Sequence, residues 1–245
     1  MTGRWRIAIG AGLVGLSALL YALHYLIFKD AHHIFIYMVG DIAFVPIEVL
    51  LVTLILHQLL ERREKAVLLS KLNMVIGAFF SEVGTEALVL ISGFDPSADE
   101  LSAVLRPSAE WTDADFARAS SRVEGLVADV DAAEGDLEAL ATFLAERREF
   151  LLRLLENPNL LEHESFTDLL WATLHLTEEL ESREDLSDLP ASDLAHLSGD
   201  IRRAYALILE HWLGYMRHLR DAYPYLYSLA LRKNPFDPEA SVEVV

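Results

Sequence analysis

The sequence has 245 residues, of which 53% are hydrophobic, 38 are acidic and 20 are basic, for a formal net charge of −18. It contains no cysteine, which excludes disulfides, cysteine-ligated zinc or iron–sulfur centres and thiol catalysis. Residues 1–65 carry six basic and five acidic side chains, whereas the remainder carries 14 and 33. The acidic composition of residues 66–245 disfavours nucleic acid as a partner, because nucleic acid is bound through basic patches.

The first apolar segment, residues 5–28, predicts a membrane-spanning helix. It is longer than the apolar region of a signal peptide and ends without a small-residue cleavage site, so we expect an uncleaved anchor. Small residues recur on one side of this helix, which allows close packing against another helix in lipid. They are Ala8, Ala11, Gly12, Gly15, Ala18 and Ala22.

The second apolar segment, residues 34–57, is the most informative part of the chain. Its length of about 36 Å as a helix exceeds the roughly 30 Å of a hydrocarbon core. Its charged residues are Asp41 and Glu48, which lie seven positions apart and therefore within about 20° of each other on a helix. Tyr37 lies close to the same stripe. Pro46 lies between the acids and predicts a kink, because it lacks a backbone donor.

Acids inside a membrane need a physical reason, since one near the bilayer centre costs about 2.5–3.5 kcal/mol. One interpretation is that Asp41 and Glu48 handle cations or protons. The other is structural: the acids are protonated or hydrogen-bonded to a neighbouring helix and only hold helices together. One hairpin cannot bury both acids, so symmetric copies of the chain are the simplest source of partners.

Residues 29–33 predict a short turn, so residues 1–65 are expected to form a two-helix transmembrane hairpin. Basic residues flank its two ends, and by the positive-inside rule both ends lie in the cytoplasm. These residues are Arg4, Arg6, Arg62, Arg63 and Lys65. The expected location is therefore the cell membrane, with two spans and with the N- and C-termini cytoplasmic.

Three histidines lie near the turn. His24 is expected within reach of Asp41, where such a pair can titrate near neutral pH, although a histidine at this depth more often only caps the interface. His32 and His33 are weak metal-ligand candidates, because adjacent residues on a turn seldom converge on one ion unless an oligomer gathers them into a ring.

Residues 66–110 predict a juxtamembrane amphipathic helix followed by a linker. The apolar run 66–92 is interrupted by Lys71, Glu82 and Glu86, which favours packing at the inner membrane surface or in an oligomer. The alternative is a third membrane crossing, which would place the acidic part outside. Gly93, Pro96 and Pro107 mark residues 93–111 as the linker.

Residues 111–232 read as amphipathic helices joined by short loops, followed by a polar tail over residues 233–245. Thr112, Ser165 and Ser192 are predicted N-caps, a further helix is predicted over residues 131–155, and Pro224 is predicted to open the last helix. No strand pattern or phosphate-binding glycine loop is present. The fold class is therefore all-α, a transmembrane helical hairpin followed by a cytoplasmic helical bundle.

The histidines of this helical part are weak metal candidates. Bundles build carboxylate–histidine metal sites from Glu-x-x-His pairs on facing helices. Here His175 precedes Glu178 and Glu179, the reverse order, and His196 precedes Asp200 by four. His211 and His218 lie seven apart. We therefore expect solvated or core-edge histidines, and His175, Glu179, His211 and His218 are only weak candidate ligands.

No nucleophile or cofactor motif is present, so we expect neither an enzyme nor a cofactor. The sequence favours a homo-oligomer in the lipid bilayer, with Asp41 and Glu48 forming acidic rings that conduct inorganic cations or protons under a cytoplasmic regulatory domain. The alternative is a membrane-anchored helical sensor or scaffold that does not conduct.

Overall fold

The computed structural model describes residues 3–126, 129–160 and 163–243, and within these ranges every regular element is a helix. The predicted all-α class is therefore confirmed. The chain divides into two compact units, Met1–Lys65 and Ala66–Val245. We call them the N-terminal and the C-terminal unit and describe each by itself.

The N-terminal unit consists of α1 (Gly3–Phe28) and of α2 (Ala31–Phe79) as far as Lys65. Only Lys29 and Asp30 separate the two helices, and Lys29 adopts a left-handed conformation with φ of 53°. The Asp30 carboxylate accepts a hydrogen bond of 3.1 Å from the backbone N–H of His33. Because Asp30 supplies this bond, the helix begins earlier than predicted. The expected turn 29–33 was too long, and His32 and His33 lie in the first turn of α2.

The apolar side chains of the N-terminal unit are uncovered. Among the described residues, two helical stretches are long and apolar enough to cross a membrane: Ile7–Phe28 and a window within Ala31–Ser92. No residue of either apolar window is buried, unlike the core helix of a soluble protein. A Cβ built on Gly10, Gly12 or Gly15 would meet no atom within 4 Å. The small-residue side of α1 is thus open in a single chain.

The C-terminal unit is built around the 32-residue helix Ala191–Ala222, which packs against several other helices of the unit. The elements after α2 are a π-helical turn (Phe80–Gly84), α3 (Thr85–Ser92), α4 (Ala98–Val104), α5 (Asp113–Leu126), α6 (Leu137–Leu155), a 3₁₀ turn (Pro158–Leu160), α7 (Glu164–Glu181), α8 (Ala191–Ala222) and α9 (Pro224–Arg232). Buried residues recur every three or four positions along α8, the pattern of an amphipathic helix whose apolar stripe faces a core. They include Leu197, Ile201, Ala204, Tyr205, Ile208, Trp212, Met216 and Leu219.

The segment predicted as a juxtamembrane helix and linker contributes to this core. Its buried side chains begin at Leu72 and continue through Phe79, Phe80, Leu88 and Ile91. The expected linker contains α4. Leu101 within this helix and Leu105 directly after it are fully buried. From Leu72 onward many of the apolar side chains are therefore covered by the C-terminal unit itself, whereas Met74 and Val89 stay exposed.

The predicted polar tail is also partly packed. Phe236 is buried with its ring 5.4 Å from that of Trp212. The buried Asn234 donates a hydrogen bond of 2.9 Å to the carbonyl of Leu105 and accepts one of 3.0 Å from the N–H of Phe236. Residues 234–236 thus close one edge of the core.

Several helix starts differ from the predicted ones. Helix α6 begins at Leu137 rather than near residue 131, because the Asp136 carboxylate caps it by accepting a hydrogen bond from the N–H of Ala139. Helices α7 and α8 begin one residue before Ser165 and Ser192, so neither serine is the N-cap. Pro224 opens α9 as predicted.

A π-helical turn fits two adjacent aromatic rings into the core. The carbonyl of Phe80 accepts hydrogen bonds from the backbone N–H and the hydroxyl of Thr85. This wider turn accommodates Phe79 and Phe80, both buried, with ring centroids 5.2 Å apart. A Cβ on Gly84 would lie 2.5 Å from the ring of Phe80 and 2.7 Å from that of Phe79. Glycine is therefore required here for space.

We predict that Gly84→Ala destabilises the protein by about 1–3 kcal/mol, because the added methyl group forces the two rings to move in a packed core. The matched control is Gly214→Ala on the exposed face of α8, where a Cβ meets nothing within 4 Å. It should be neutral or stabilise by up to about 1 kcal/mol, since alanine is the better helix former. Denaturation followed by circular dichroism measures both. Equal effects of the two substitutions would contradict this packing.

Candidate functional site

The acidic stripe of α2 consists of Tyr37, Asp41 and Glu48, and all three side chains are exposed in the single chain. Within the described ranges, neither acid forms an ion pair or a hydrogen bond. Helix α2 runs through Pro46 as one continuous α-helix from Ala31 to Phe79. Two carboxylates in the apolar stretch 34–57 of α2 therefore have no ion-pair or hydrogen-bond partner within the part of the chain that the structure describes.

His24 lies beside His33 rather than beside Asp41. Its ring centroid is 4.7 Å from that of Phe28 and 6.1 Å from that of His33, with the two imidazoles nearly parallel. The ring of His33 in turn lies 4.6 Å from that of Tyr37. This arrangement follows from the two-residue turn, which places His33 on the helix. Sequence reasoning placed His33 in the turn and so missed the group of His24, His33 and Tyr37.

The cluster of potential metal ligands lies in the C-terminal unit, between α7 and α8. Among the described residues, His175, Glu179 and Asp200 each offer one potential ligand atom, and these three atoms lie within 4.8 Å of one another. His196 contacts the same carboxylates, with its Nε2 3.5 Å from Glu179 and 3.3 Å from Asp200. We call these four residues the α7–α8 cluster.

A repeated pattern builds the cluster. Helix α7 carries His175-Leu-Thr-Glu-Glu179 and α8 carries His196-Leu-Ser-Gly-Asp200, so each helix has a histidine followed four residues later by an acid. That spacing places both side chains on one helical face. The leucine after each histidine is fully buried, which holds the histidine at the edge of the α7–α8 contact. The repeat differs from the Glu-x-x-His motif in both order and spacing. Both pairs are visible in the sequence, but the sequence does not show that they converge.

Arginine side chains orient the two carboxylates. Arg183 lies 3.0 Å from Glu179 and also forms hydrogen bonds of 2.7 and 2.8 Å with Asp193. The hydrogen bond from Arg183 holds the pKa of Glu179 below its ordinary value, and His196 adds to this effect. Arg203 donates a hydrogen bond of 2.7 Å to Oδ1 of Asp200. Glu179 therefore remains ionised throughout the neutral range.

His211 and His218 lie elsewhere on α8 and are not part of this cluster. The ring of His211 lies 5.5 Å from that of Phe166 in an edge-to-face arrangement, and burial lowers the pKa of His211 from its ordinary value. Nδ1 of His218 lies 3.1 Å from the amide nitrogen of Asn73, and burial lowers the pKa of His218 as well. Their surroundings favour neutral histidines that pack and hydrogen-bond.

The chain is thus an all-α protein in which two helical stretches with uncovered apolar side chains precede a packed helical unit. Two family models match the chain: "MJ1433, N-terminal helical domain" over residues 1–60, and "Uncharacterized protein MJ1433, C-terminal helical domain" over residues 68–232. Uncharacterized protein MJ1433 of Methanocaldococcus jannaschii is 47% identical over 239 residues, which cover 98% of this chain and 96% of that protein. The chain belongs to the MJ1433 family. No solved structure matches it.

We predict that His211→Gln reduces the loss of stability at acid pH. Because burial lowers the pKa of folded His211, the unfolded chain binds this proton first, and the unfolding free energy falls as pH decreases below about 6.5. Glutamine removes this contribution. Denaturation at pH 7 and pH 5 measures it, with His57→Gln on the exposed surface of α2 as the control. An unchanged pH dependence in His211→Gln would contradict a buried, neutral histidine.

Proposed function

We propose that this protein is an integral membrane homo-oligomer, with α1 and residues 31–60 of α2 as a transmembrane hairpin. The observation that carries this proposal is the presence of two apolar stretches that are long enough to span a bilayer and contain no buried residue in their apolar windows. Monomeric soluble proteins rarely expose contiguous apolar patches larger than a few hundred Å². A hydrocarbon environment removes this surface from water without requiring any contact within the chain.

The charges on either side of the apolar stretches support a cytoplasmic C-terminal unit. Arginines precede the first stretch, and Arg62, Arg63 and Lys65 follow the second, while the turn carries one lysine and one aspartate. Basic residues are enriched in cytoplasmic loops next to membrane spans. Both ends of the hairpin are therefore assigned to the cytoplasm, and residues 66–245 form a cytoplasmic helical domain.

The uncovered acids support assembly of several copies. Asp41 and Glu48 are exposed on α2, and the glycines of α1 are open to close approach. A carboxylate facing lipid at mid-membrane would cost about 2.5–3.5 kcal/mol, and that cost is avoided when the stripe faces other subunits. Small residues allow helices of different copies to pack closely.

In such an assembly the acids form two rings about 10 Å apart along the helix axis, given the helical rise of seven residues. Rings of acidic side chains select cations in channels, and intramembrane acids also relay protons. The function supported best is therefore conduction of cations or protons, with the cytoplasmic domain regulating it.

A second candidate function is a membrane-anchored scaffold without conduction. It is favoured by two large aromatic side chains of the C-terminal unit, Trp171 and Tyr225, which are 59% and 71% exposed. Exposed aromatic residues are frequent anchors of protein–protein contacts. In this function, Asp41 and Glu48 only hold the helices of the assembly together.

Flux through liposomes containing the purified protein tests the first function. We expect Asp41→Asn and Glu48→Gln each to reduce cation or proton flux at least tenfold, which corresponds to about 1.4 kcal/mol in the barrier. The matched control, Glu64→Gln, removes an exposed acid beyond the apolar stretch and should leave the flux unchanged. Unchanged flux in both acid variants would refute the acidic rings, and no flux in the wild type would favour the scaffold.

A further inference from the structure

The α7–α8 cluster has the dimensions of a coordination site. Nε2 of His175 lies 3.8 Å from Oε1 of Glu179 and 3.7 Å from Oδ2 of Asp200. Nε2 of His196 lies 3.5 Å from Oε2 of Glu179 and 3.3 Å from Oδ2 of Asp200. Direct N–H···O hydrogen bonds are about 2.7–3.2 Å long. Ligand atoms bound tetrahedrally to one ion at about 2.0–2.1 Å stand about 3.3–3.4 Å apart. Nε2 of His196 and Oδ2 of Asp200 have this separation, and the two distances from His175 are somewhat longer.

A second observation points to a ligand at the same place. Asp200 is only 4% exposed, and its Oδ2 is buried without a hydrogen bond from any residue in the described part of the chain. Leaving a buried acceptor unpaired costs about 1–3 kcal/mol, and more when it is charged. This oxygen lies 3.3 Å from Nε2 of His196 and 3.7 Å from Nε2 of His175, and neither imidazole forms a hydrogen bond with it. A cation among these atoms would supply the missing partner.

The arginines leave one oxygen of each carboxylate available. Arg203 binds Oδ1 of Asp200, so Oδ2 faces the histidines. Arg183 binds Oε2 of Glu179, which also lies 3.5 Å from Nε2 of His196, while Oε1 faces His175. Hydrogen bonds of this kind, from groups behind the ligands, orient the ligands of metal sites. The side chains of His175 and His196 are about half exposed, which leaves the cluster accessible from solvent.

We propose that His175, Glu179 and Asp200, with His196 as the fourth side chain, bind one divalent first-row transition-metal ion. Imidazole and carboxylate ligands together suit zinc, iron, manganese or cobalt, whereas calcium and magnesium prefer sites made of oxygen alone. The ion links α7 to α8 within the C-terminal unit. This site is separate from the acids of α2, so it stands whether or not the protein conducts ions.

The competing explanation is that the cluster only contains ion pairs between protonated histidines and carboxylates. Both explanations predict that the four side chains contribute to stability. Only the metal site predicts saturable binding of one ion per chain, and a rise in melting temperature that requires the ion. The test therefore measures binding and not stability alone.

The experiment uses the purified full-length protein in detergent, dialysed against a chelator and titrated with Zn²⁺ and, separately, with Co²⁺. Calorimetry gives the affinity and stoichiometry, and the absorption bands of bound Co²⁺ report its coordination. We expect one ion per chain in the wild type and binding at least about 100-fold weaker in His175→Ala and Asp200→Asn. Zn²⁺ should raise the melting temperature of the wild type but not that of His175→Ala.

The matched control is His57→Ala. His57 and Glu61 have the same spacing on α2, with atoms 3.1 Å apart and both side chains exposed. Metal binding should be unchanged in this variant. Circular dichroism shows whether Asp200→Asn is folded, and the half-exposed His196→Ala replaces it if it is not. The proposal is overturned if neither Zn²⁺ nor Co²⁺ binds the wild type with a Kd below about 100 μM, or if His175→Ala binds as tightly as the wild type.

Discussion

The apolar surface of α1 and of residues 31–60 of α2 is the constraint on which the rest of this structure depends. No residue of either apolar window is buried, and Leu54, for example, is 51% exposed. At about 25 cal/mol per Å² of apolar surface, exposing two such helices to water is unfavourable. We propose that lipid, other copies of the chain or both cover this surface. The proposals for location and assembly follow from this requirement.

The C-terminal unit buries its apolar core through contacts between its own helices. Helix α8 is covered on several sides by α3, α5, α7 and α9, and its apolar stripe is buried from Leu197 to Leu219. The α7–α8 cluster lies at the edge of the contact between these two helices. There Asp200 is buried, while His175 and His196 are about half exposed. The chemistry of this unit is concentrated where a buried carboxylate meets solvent-accessible imidazoles.

Much of the fold could be predicted because helical periodicity and helix-terminating residues are local properties. The end of α1 at Phe28 and the start of α9 at Pro224 are examples. The burial of residues from Leu72 to Leu105 could not be predicted in the same way. An apolar run looks alike in sequence whether lipid or a protein core covers it. Only the tertiary structure shows that these side chains pack beneath α8 and α6.

The same distinction between local and tertiary features applies to the candidate site residues. The stripe of Asp41 and Glu48 was predictable, because seven residues on one helix fix their relative positions. The α7–α8 cluster joins residues from two helices, and the convergence of His175 with Asp200 depends on how those helices pack. The repeated spacing of a histidine and an acid was visible in the sequence, but its meaning was not. His33 was misplaced because the capping role of Asp30 shortened the turn.

The absence of cysteine makes the proposed topology of the membrane hairpin, with both ends in the cytoplasm, directly measurable. Single cysteines are introduced at His32, exposed beside the turn, and at Glu184, exposed in the loop before α8. Cells expressing each variant are treated with a membrane-impermeant maleimide before and after lysis. We expect His32→Cys to be labelled in intact cells and Glu184→Cys to be labelled only after lysis. Labelling of Glu184→Cys in intact cells, or release of the protein from membranes by an alkaline wash, would contradict it.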